Sequence, residues 1–407
     1  MYLARIAWRN LWRNKRRTLL TCGALAFAML LIQVGMSFQA GSYGPMIELG
    51  TKFGSGHLQI VHPDVDDSPL IEQTITQPDQ LREELQKLAH IDEIGFRVET
   101  FALINHGEKS FGALVVGVEP SIEPQISLLP NHILGGRYLP TYNEAYIGSA
   151  LARNLDVTIG DELVILGSDR LGSVAATIVL VGGIFESGNT ELDRTIVHVP
   201  IELFNEVFEM SDAIHRVVIM VSNPLAMKGV ERDINHLLKP DQKLRNWQEL
   251  MPEINESITL DRISNGIVYG VLIVIVVLSI ANTFTMTMFE RTREFGILRA
   301  LGMQNPSIFA MFSFESFFMW LVGSTIGLGL SLAVILPLSK YGIALSSTTM
   351  EELVGQFYLP DRIYASIDLQ VLIVAPIALG IGIVLSSCFA GTRLYRVPLL
   401  NALRFRE

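Results

Sequence analysis

Between Phe289 and Gly302 the chain reads Phe-Glu-Arg-Thr-Arg-Glu-Phe-Gly-Ile-Leu-Arg-Ala-Leu-Gly, a charged segment set between two long uncharged ones. Its chemistry is ion pairing and docking. Glu290 and Arg293, and Arg291 and Glu294, stand three residues apart, where opposite charges meet on a helix. Phe295, Leu298 and Leu301 add an apolar stripe that can enter a groove on a soluble partner. A second loaded position is Glu315, the one ionisable residue between Ala300 and Ser339. A carboxyl inside a membrane span is costly unless it is neutral, paired or facing water. Glu315 therefore reads as a hydrogen-bonded strut between helices, a coupling residue or a proton carrier.

Bond-making chemistry has no foothold. The sequence contains no G-x-x-x-x-G-K-[ST], H-E-x-x-H, CxxC or G-x-S-x-G, which removes the usual nucleotide-phosphate, zinc-protease, redox and hydrolase readings. The chain is thus expected to be no enzyme, with no catalytic residue, metal or cofactor of its own. The eight histidines (57, 62, 90, 106, 132, 198, 215, 236) show no metal-binding pair at four-residue spacing and read as dispersed surface side chains.

The elements that must position Glu290–Gly302 and Glu315 are membrane helices. Hydrophobic residues make up 49% of the chain, charged ones 18%, and the mean hydropathy is positive, a membrane-protein composition. Residues 1–17 carry Arg5, Arg9, Arg13, Lys15, Arg16 and Arg17 with no acid, and residues 18–47 carry no charge. Four segments, 18–40, 264–287, 306–338 and 369–392, are apolar enough and long enough to span a bilayer. The basic residues of 1–17, of the 288–305 loop and of the 393–407 tail (Arg393, Arg396, Arg404, Arg406) fall on one side. The positive-inside rule then makes both termini cytoplasmic. In the third span Gly323 and Gly327 form a GxxxG step, which lets helix backbones approach closely.

Residues 41–263 are expected to form a large extracytoplasmic α+β domain between the first and second spans, and 339–368 a short extracytoplasmic loop. The 41–263 stretch holds 33 acidic and 16 basic side chains, a balance of −17, which argues against nucleic acid as a partner. Both cysteines, Cys22 and Cys388, lie in predicted spans, so this domain is held by its own core without a disulfide. A helix is predicted over 77–88 with Thr76 as its cap, and a hairpin from 97–105 and 111–118. Further short strands are predicted at 146–148, 162–166, 176–184, 195–199 and 217–221, with helices near 148–155, 201–208 and 223–238. Gly182-Gly183 and Gly188-Asn189 read as turns.

The string Glu290-Arg291-Thr292-Arg293-Glu294-Phe295-Gly296-Ile297-Leu298-Arg299-Ala300-Leu301-Gly302 resembles the loop between spans two and three in the MacB/FtsX/LolC-LolE family of ABC-transporter membrane subunits. Further similarities are the basic opening from Trp8 to Arg17, Gly136-Arg137-Tyr138-Leu139, Ile147-Gly148 through Leu155, and Ile159-Gly160-Asp161. Glu315 with its following glycines and the tail with Pro398 and Ala402-Leu403-Arg404 extend the likeness to the whole chain. The resemblance implies that Glu290, Arg291, Arg293, Glu294, Phe295, Gly296, Leu298, Arg299 and Gly302 dock a separate ABC ATPase, which binds ATP and Mg. It also implies a pair of permeases, either two copies of this chain or a copy with a paralogue, in a bacterial inner membrane. Nucleotide-driven closure would be relayed through the first two spans to extracytoplasmic work. That work would be lipoprotein release, with Met36, Phe38, Ile263 and Ile267 facing the substrate lipids and a periplasmic carrier receiving the cargo. The alternatives within the family are MacB-like export of a peptide, drug or toxin with a periplasmic adaptor, and FtsX-like control of a cell-wall hydrolase.

Overall fold

The computed structural model describes residues 2–65, 70–139, 141–211, 213–344 and 362–396, with side chains as far as 391. The similarities at Pro398 and Ala402–Arg404, the side chains of Arg393 and Arg396, and positions 345–361 of the short loop lie outside the described residues. In chain order the helices are α1 (Tyr2–Leu11), α2 (Lys15–Lys52), α3 (Pro78–Leu85), α4 (Glu123–Ile126), α5 (Ser149–Leu155), α6 (Thr190–Thr195), α7 (Ile201–Val207), α8 (Lys228–Leu237), α9 (Trp247–Leu250), α10 (Pro252–Glu290), α11 (Thr292–Ala300), α12 (Asn305–Tyr341) and α13 (Leu369–Arg396). The strands are β1 (Leu58–Val61), β2 (Ile91–His106), β3 (Lys109–Val118), β4 (Ile133–Gly136), β5 (Glu144–Gly148), β6 (Glu162–Ser168), β7 (Val174–Phe185), β8 (Ile196–Pro200), β9 (Arg216–Val221), β10 (Lys243–Asn246) and the short pair β11 (Ile343–Ala344) and β12 (Arg362–Ile363).

Contacts divide the chain into a helical unit, with described residues 2–43, 258–344 and 362–396, and a sheet unit, 44–257. Among the described residues four helices are long and apolar enough to cross a membrane. Two of them outrun the apolar segments that predict them: α2 continues to Lys52, and α10 starts at Pro252. Hydropathy marks only the part of a helix that needs lipid, so the polar extensions carry no such signal.

The helical unit is held by one apolar cluster that includes Leu25 and Met29 of α2, Ile280 and Phe284 of α10, Phe312 of α12 and Leu379 of α13. Small residues set the closest approaches. A Cβ on Gly323 would come 2.5 Å from Leu25 Cδ2, and one on Gly327 would come 2.9 Å from Met29 Cβ. The GxxxG step thus seats α12 against α2 within a single chain.

The sheet unit is mixed α and β. Its strand pairing closes on itself: β2 pairs β3, β3 pairs β8, β8 pairs β5, β5 pairs β7, β7 pairs β6, and β6 returns to β2. Two of these pairings, β3 with β8 and β5 with β7, are parallel. Strand β2 is long enough to serve two neighbours on one edge, with 91–97 paired to β9 and 103–105 to β6. Beyond β9 the sheet continues to β1 and β10.

Several local expectations need correction. Thr76 does not cap α3. Gln77 is the capping residue, left-handed at φ 57° and without a side-chain cap bond, and the helix ends at Leu85. Gly182 and Gly183 form no turn but lie inside β7. A Cβ on Gly183 would sit 2.4 Å from the Arg137 carbonyl oxygen, so there the glycine admits a neighbouring backbone. Gly188 is in a turn at φ 84°, and Asn189 caps α6 by accepting from the Glu191 and Leu192 amides. Three histidines are no surface residues: His57, His198 and His215 are all buried.

Candidate coupling site

The 290–302 segment is a helix with a defined start and stop. Between α10 and α11 only Arg291 leaves helical assignment, and its carbonyl still accepts from the Phe295 amide at 3.0 Å. At the far end the Gly302 amide donates to Arg299 O and the Met303 amide to Leu298 O, each at 3.0 Å. Gly302 adopts φ 94°. This is the Schellman ending, in which a glycine supplies the left-handed residue that closes a helix.

Arg291 organises the site. Its Nη1 donates to both carboxylate oxygens of Glu315, at 2.9 and 3.3 Å, and its Nε donates to Glu294 Oε2 at 3.0 Å. Both Arg291 and Glu315 are buried. The acid inside α12 is thus balanced by a cation from the charged segment, which satisfies the requirement on an ionisable group at that depth. Glu294 in turn accepts from Arg13, in the turn that joins α1 to α2. Glu290 pairs with Arg17 of α2 at 2.5 Å. Partial burial pushes the Glu294 carboxyl up, but the hydrogen bonds and charges of Arg13 and Arg291 outweigh it and leave the carboxyl below its ordinary value.

The N-terminal elements are fixed to the same place by apolar contacts. Ala7 and Leu11 are buried, and the Trp8 ring meets the edge of Phe318 at 5.3 Å between centroids. Thr18 Oγ1 donates to the Leu11 carbonyl at 2.6 Å, closing the corner between α1 and α2. A cavity of about 30 Å³ beside Glu315, bordered also by Asn14, Arg17, Thr18 and Thr287, has room for one water.

The residues singled out in the sequence do not all share a surface. The Arg291–Glu294 pair forms, whereas Glu290 goes to Arg17 in place of Arg293, and among the described residues Arg293 makes no ion pair. The apolar stripe is overturned in part. Phe295 is buried in the core of the helical unit, Gly296 is buried beside it, Leu298 is half-buried, and only Leu301 stands fully out, at 79% exposure. With three or four residues per turn, a short helix lying on a bundle must turn some of its apolar residues inward. The outward face is Arg293, Ile297, Leu301 and Gly302, flanked by exposed Glu290 and half-buried Arg299. Of the residues proposed to face lipid substrate, Met36 and Phe38 are half-buried on α2, while Ile263 and Ile267 are exposed on α10. The two helices meet nearby, where Tyr43 Oη and Gln39 Nε2 donate to Asp261 Oδ2 at 2.7 and 3.0 Å.

Sequence reasoning missed Arg13 and Arg17 as members of the site. Their signal was the cluster of six basic residues before the first span, which charge counting used only for orientation. It also treated Arg291 and Glu315 separately, since they stand 24 positions apart.

The family model described as FtsX-like permease C-terminal matches residues 266–394. The lipoprotein-releasing system transmembrane protein LolC of Xylella fastidiosa is 23% identical over 238 residues, covering 56% of this chain. The chain spans 57% of the length of that relative. LolE of Haemophilus influenzae is 23% identical over 390 residues, covering 92% of this chain and 93% of that protein. Among solved structures, the periplasmic region of MacB from Actinobacillus actinomycetemcomitans aligns with 50% of this chain and 94% of its own, at 14% identity and a TM-score of 0.37.

Proposed function

We propose, for a chain that belongs to the MacB/FtsX/LolC-LolE family of ABC-transporter permeases, that it is the membrane subunit through which a separate ATPase drives lipoprotein release. The observation that carries the reading is the series Arg13–Glu294–Arg291–Glu315 with its branch Arg17–Glu290. A force on α11 reaches α1, α2, α10 and α12 through these pairs, so the docking helix cannot turn without moving the spans. The ATPase holds ATP and Mg and contacts the face of Arg293, Ile297 and Leu301. Two permeases assemble in the bacterial inner membrane with both termini cytoplasmic, and lipoprotein acyl chains are engaged near the outward ends of the first two spans. The relatives named for lipoprotein release support this choice of cargo.

The deciding experiment is native mass spectrometry of this protein co-expressed with its candidate ATPase. A complex that carries an acylated protein is expected. An ATPase complex free of acylated protein would move the assignment to export with an adaptor or to control of a hydrolase, and absence of any ATPase complex would remove the coupling role.

A further inference from the structure

The sheet unit contains a cavity of about 670 Å³ that coupling does not use. Its floor is one row of the sheet, in which Glu99 of β2 lies opposite Val116 of β3 and Val116 opposite His198 of β8. The walls are apolar at Met46, Phe53, Leu192, Met251 and Ile254 and polar at Asn189, Glu253 and Ser257. The volume lies in the range of pockets that enclose drug-sized molecules, and two methionines make such a wall adaptable.

The polar groups of the floor define the ligand. Arg97 and Arg216 are directly opposed across β2 and β9, an unfavourable arrangement unless each has a counter-charge. Both do. Arg97 donates to both oxygens of Glu123, through Nε at 3.2 Å and through Nη2, and Nη1 donates to the Gly54 carbonyl. Arg216 donates to Glu99 through Nε at 3.0 Å and to Gln59 through Nη1 at 2.9 Å. Two buried cations and two buried carboxylates cancel on the floor, and Glu253, the further charged residue of the lining, is exposed to water, so an ion entering against the floor would lose its water without compensation. His198 is different. It is only 2% exposed and lines the cavity, and Tyr138 Oη lies 3.3 Å from Nδ1. Among the described residues Nε2 has no hydrogen-bond partner and is not sealed from solvent, so the cavity is where it can find one.

We propose that this cavity binds an uncharged amphiphile, an apolar chain or ring bearing one hydroxyl or amide that hydrogen-bonds His198 Nε2. The proposal stands independently of lipoprotein release, since it concerns a site wholly within the sheet unit. It is tested by photolabelling the full chain in lipid nanodiscs with azi-octanol, a neutral photoreactive alcohol, and sequencing the labelled peptides. Adducts on Met46, Leu192 or Met251 that are suppressed by excess octanol are expected, with octanoate and octylammonium competing at least about tenfold less well. Adducts on the membrane helices in the same sample serve as the internal reference. His198→Phe should weaken suppression by octanol, and Val116→Trp should abolish the cavity adducts by filling the space. If neither variant folds, the competition profile of the unaltered protein still decides. Labelling confined to the membrane helices, or octanoate competing as well as octanol, overturns the proposal.

Discussion

Arg97–Glu123 of the sheet unit and Arg291–Glu315 of the helical unit, both buried arginine–glutamate pairs, use the same chemistry in different surroundings. In the sheet unit the Arg97 and Glu123 side chains are 6% and 1% exposed, and the Arg97 guanidinium bonds only to Glu123 and the Gly54 carbonyl among the described residues, inside the fold. In the helical unit Arg291 and Glu315 are 11% exposed each, but Arg291 continues through Glu294 to Arg13, whose side chain is 62% exposed. The first arrangement is closed and can only hold β2 to α4 and to the backbone at Gly54. The second is in series with side chains at the surface, so an outside force can act on it. Burial alone therefore does not tell a structural ion pair from a transmitting one; the connection to the surface does.

The largest expected effect comes from breaking the closed pair. Glu123→Ala leaves Arg97 buried without its counter-charge and should destabilise the sheet unit by about 3–5 kcal/mol. The readout is lost hydrogen-exchange protection in β2 and β9 of the full chain. Glu315→Gln should instead leave β2 and β9 protected and abolish stimulation of the partner ATPase. The double variant Arg291→Met, Glu315→Leu should recover helical stability, because apolar pairs often replace buried ion pairs without loss, yet remain uncoupled. Full ATPase stimulation in that double variant would show that packing, and not the ion pair, carries the force.

Acid should separate the two regions next. Burial, and then the Arg97 charge, hold the His198 imidazole down to about 3, and burial also lowers His57 and His215. Unfolded histidine takes its proton near pH 6.5. Below that value the unfolded state binds protons that the folded state refuses, so stability falls with falling pH, by about 1.4 kcal/mol per pH unit for His198, with His57 and His215 acting in the same direction. The Glu294 carboxyl has the opposite relation to charge. Held below its ordinary value, it contributes stability above the unfolded carboxylate range and loses it only as pH falls through its folded value. Between about pH 6.5 and pH 5 the sheet unit should weaken while the Glu294 bonds persist. Exchange protection of β2, β3 and β8 that stays flat over this interval would contradict the buried neutral state of these histidines.

A smaller effect is expected at the end of α11. A Cβ on Gly302 meets nothing within 4 Å, so Gly302→Ala is opposed by backbone conformation alone. The expected cost is about 1 kcal/mol, confined to the last turn of α11. Faster exchange of the Met303 amide would report it, and an effect spreading into α12 would mean that Gly302 has a packing role as well.

How much of this was legible in the sequence follows from range. Features set by neighbours along the chain were readable: four apolar runs, the β2–β3 hairpin from the two β-rich runs 97–105 and 111–118, and the charged segment itself. The closed ring of strands was not, because β6 returns to β2 across some 60 positions and no local pattern encodes that pairing. Glu315 was recognisable as needing a partner, since an acid in a span always does. That the partner is Arg291 depends on where α12 lies against α10 and α11, which is a matter of packing. Phe295 was misread for the same reason: periodicity gives a stripe, and only the tertiary contacts say whether it faces a bundle or a partner.

The smallest effect on stability should come from the branch that lies nearest the surface, and it makes the sharpest test of the comparison. Arg17 and Glu290 have side chains 27% and 47% exposed, so reversing one of them should cost no more than about 1 kcal/mol. A pair that merely decorates the surface would then be silent in every assay. A pair in series between α2 and α10 would not be: Arg17→Glu should reduce ATPase stimulation, and adding Glu290→Arg should restore it, because the swap rebuilds the link with its charges exchanged. The contrast between a small change in melting and a large, rescuable change in coupling is what a transmitting contact predicts. Equal loss in the single and double variants would instead place the transmission in Arg13, Glu294 and Arg291 alone.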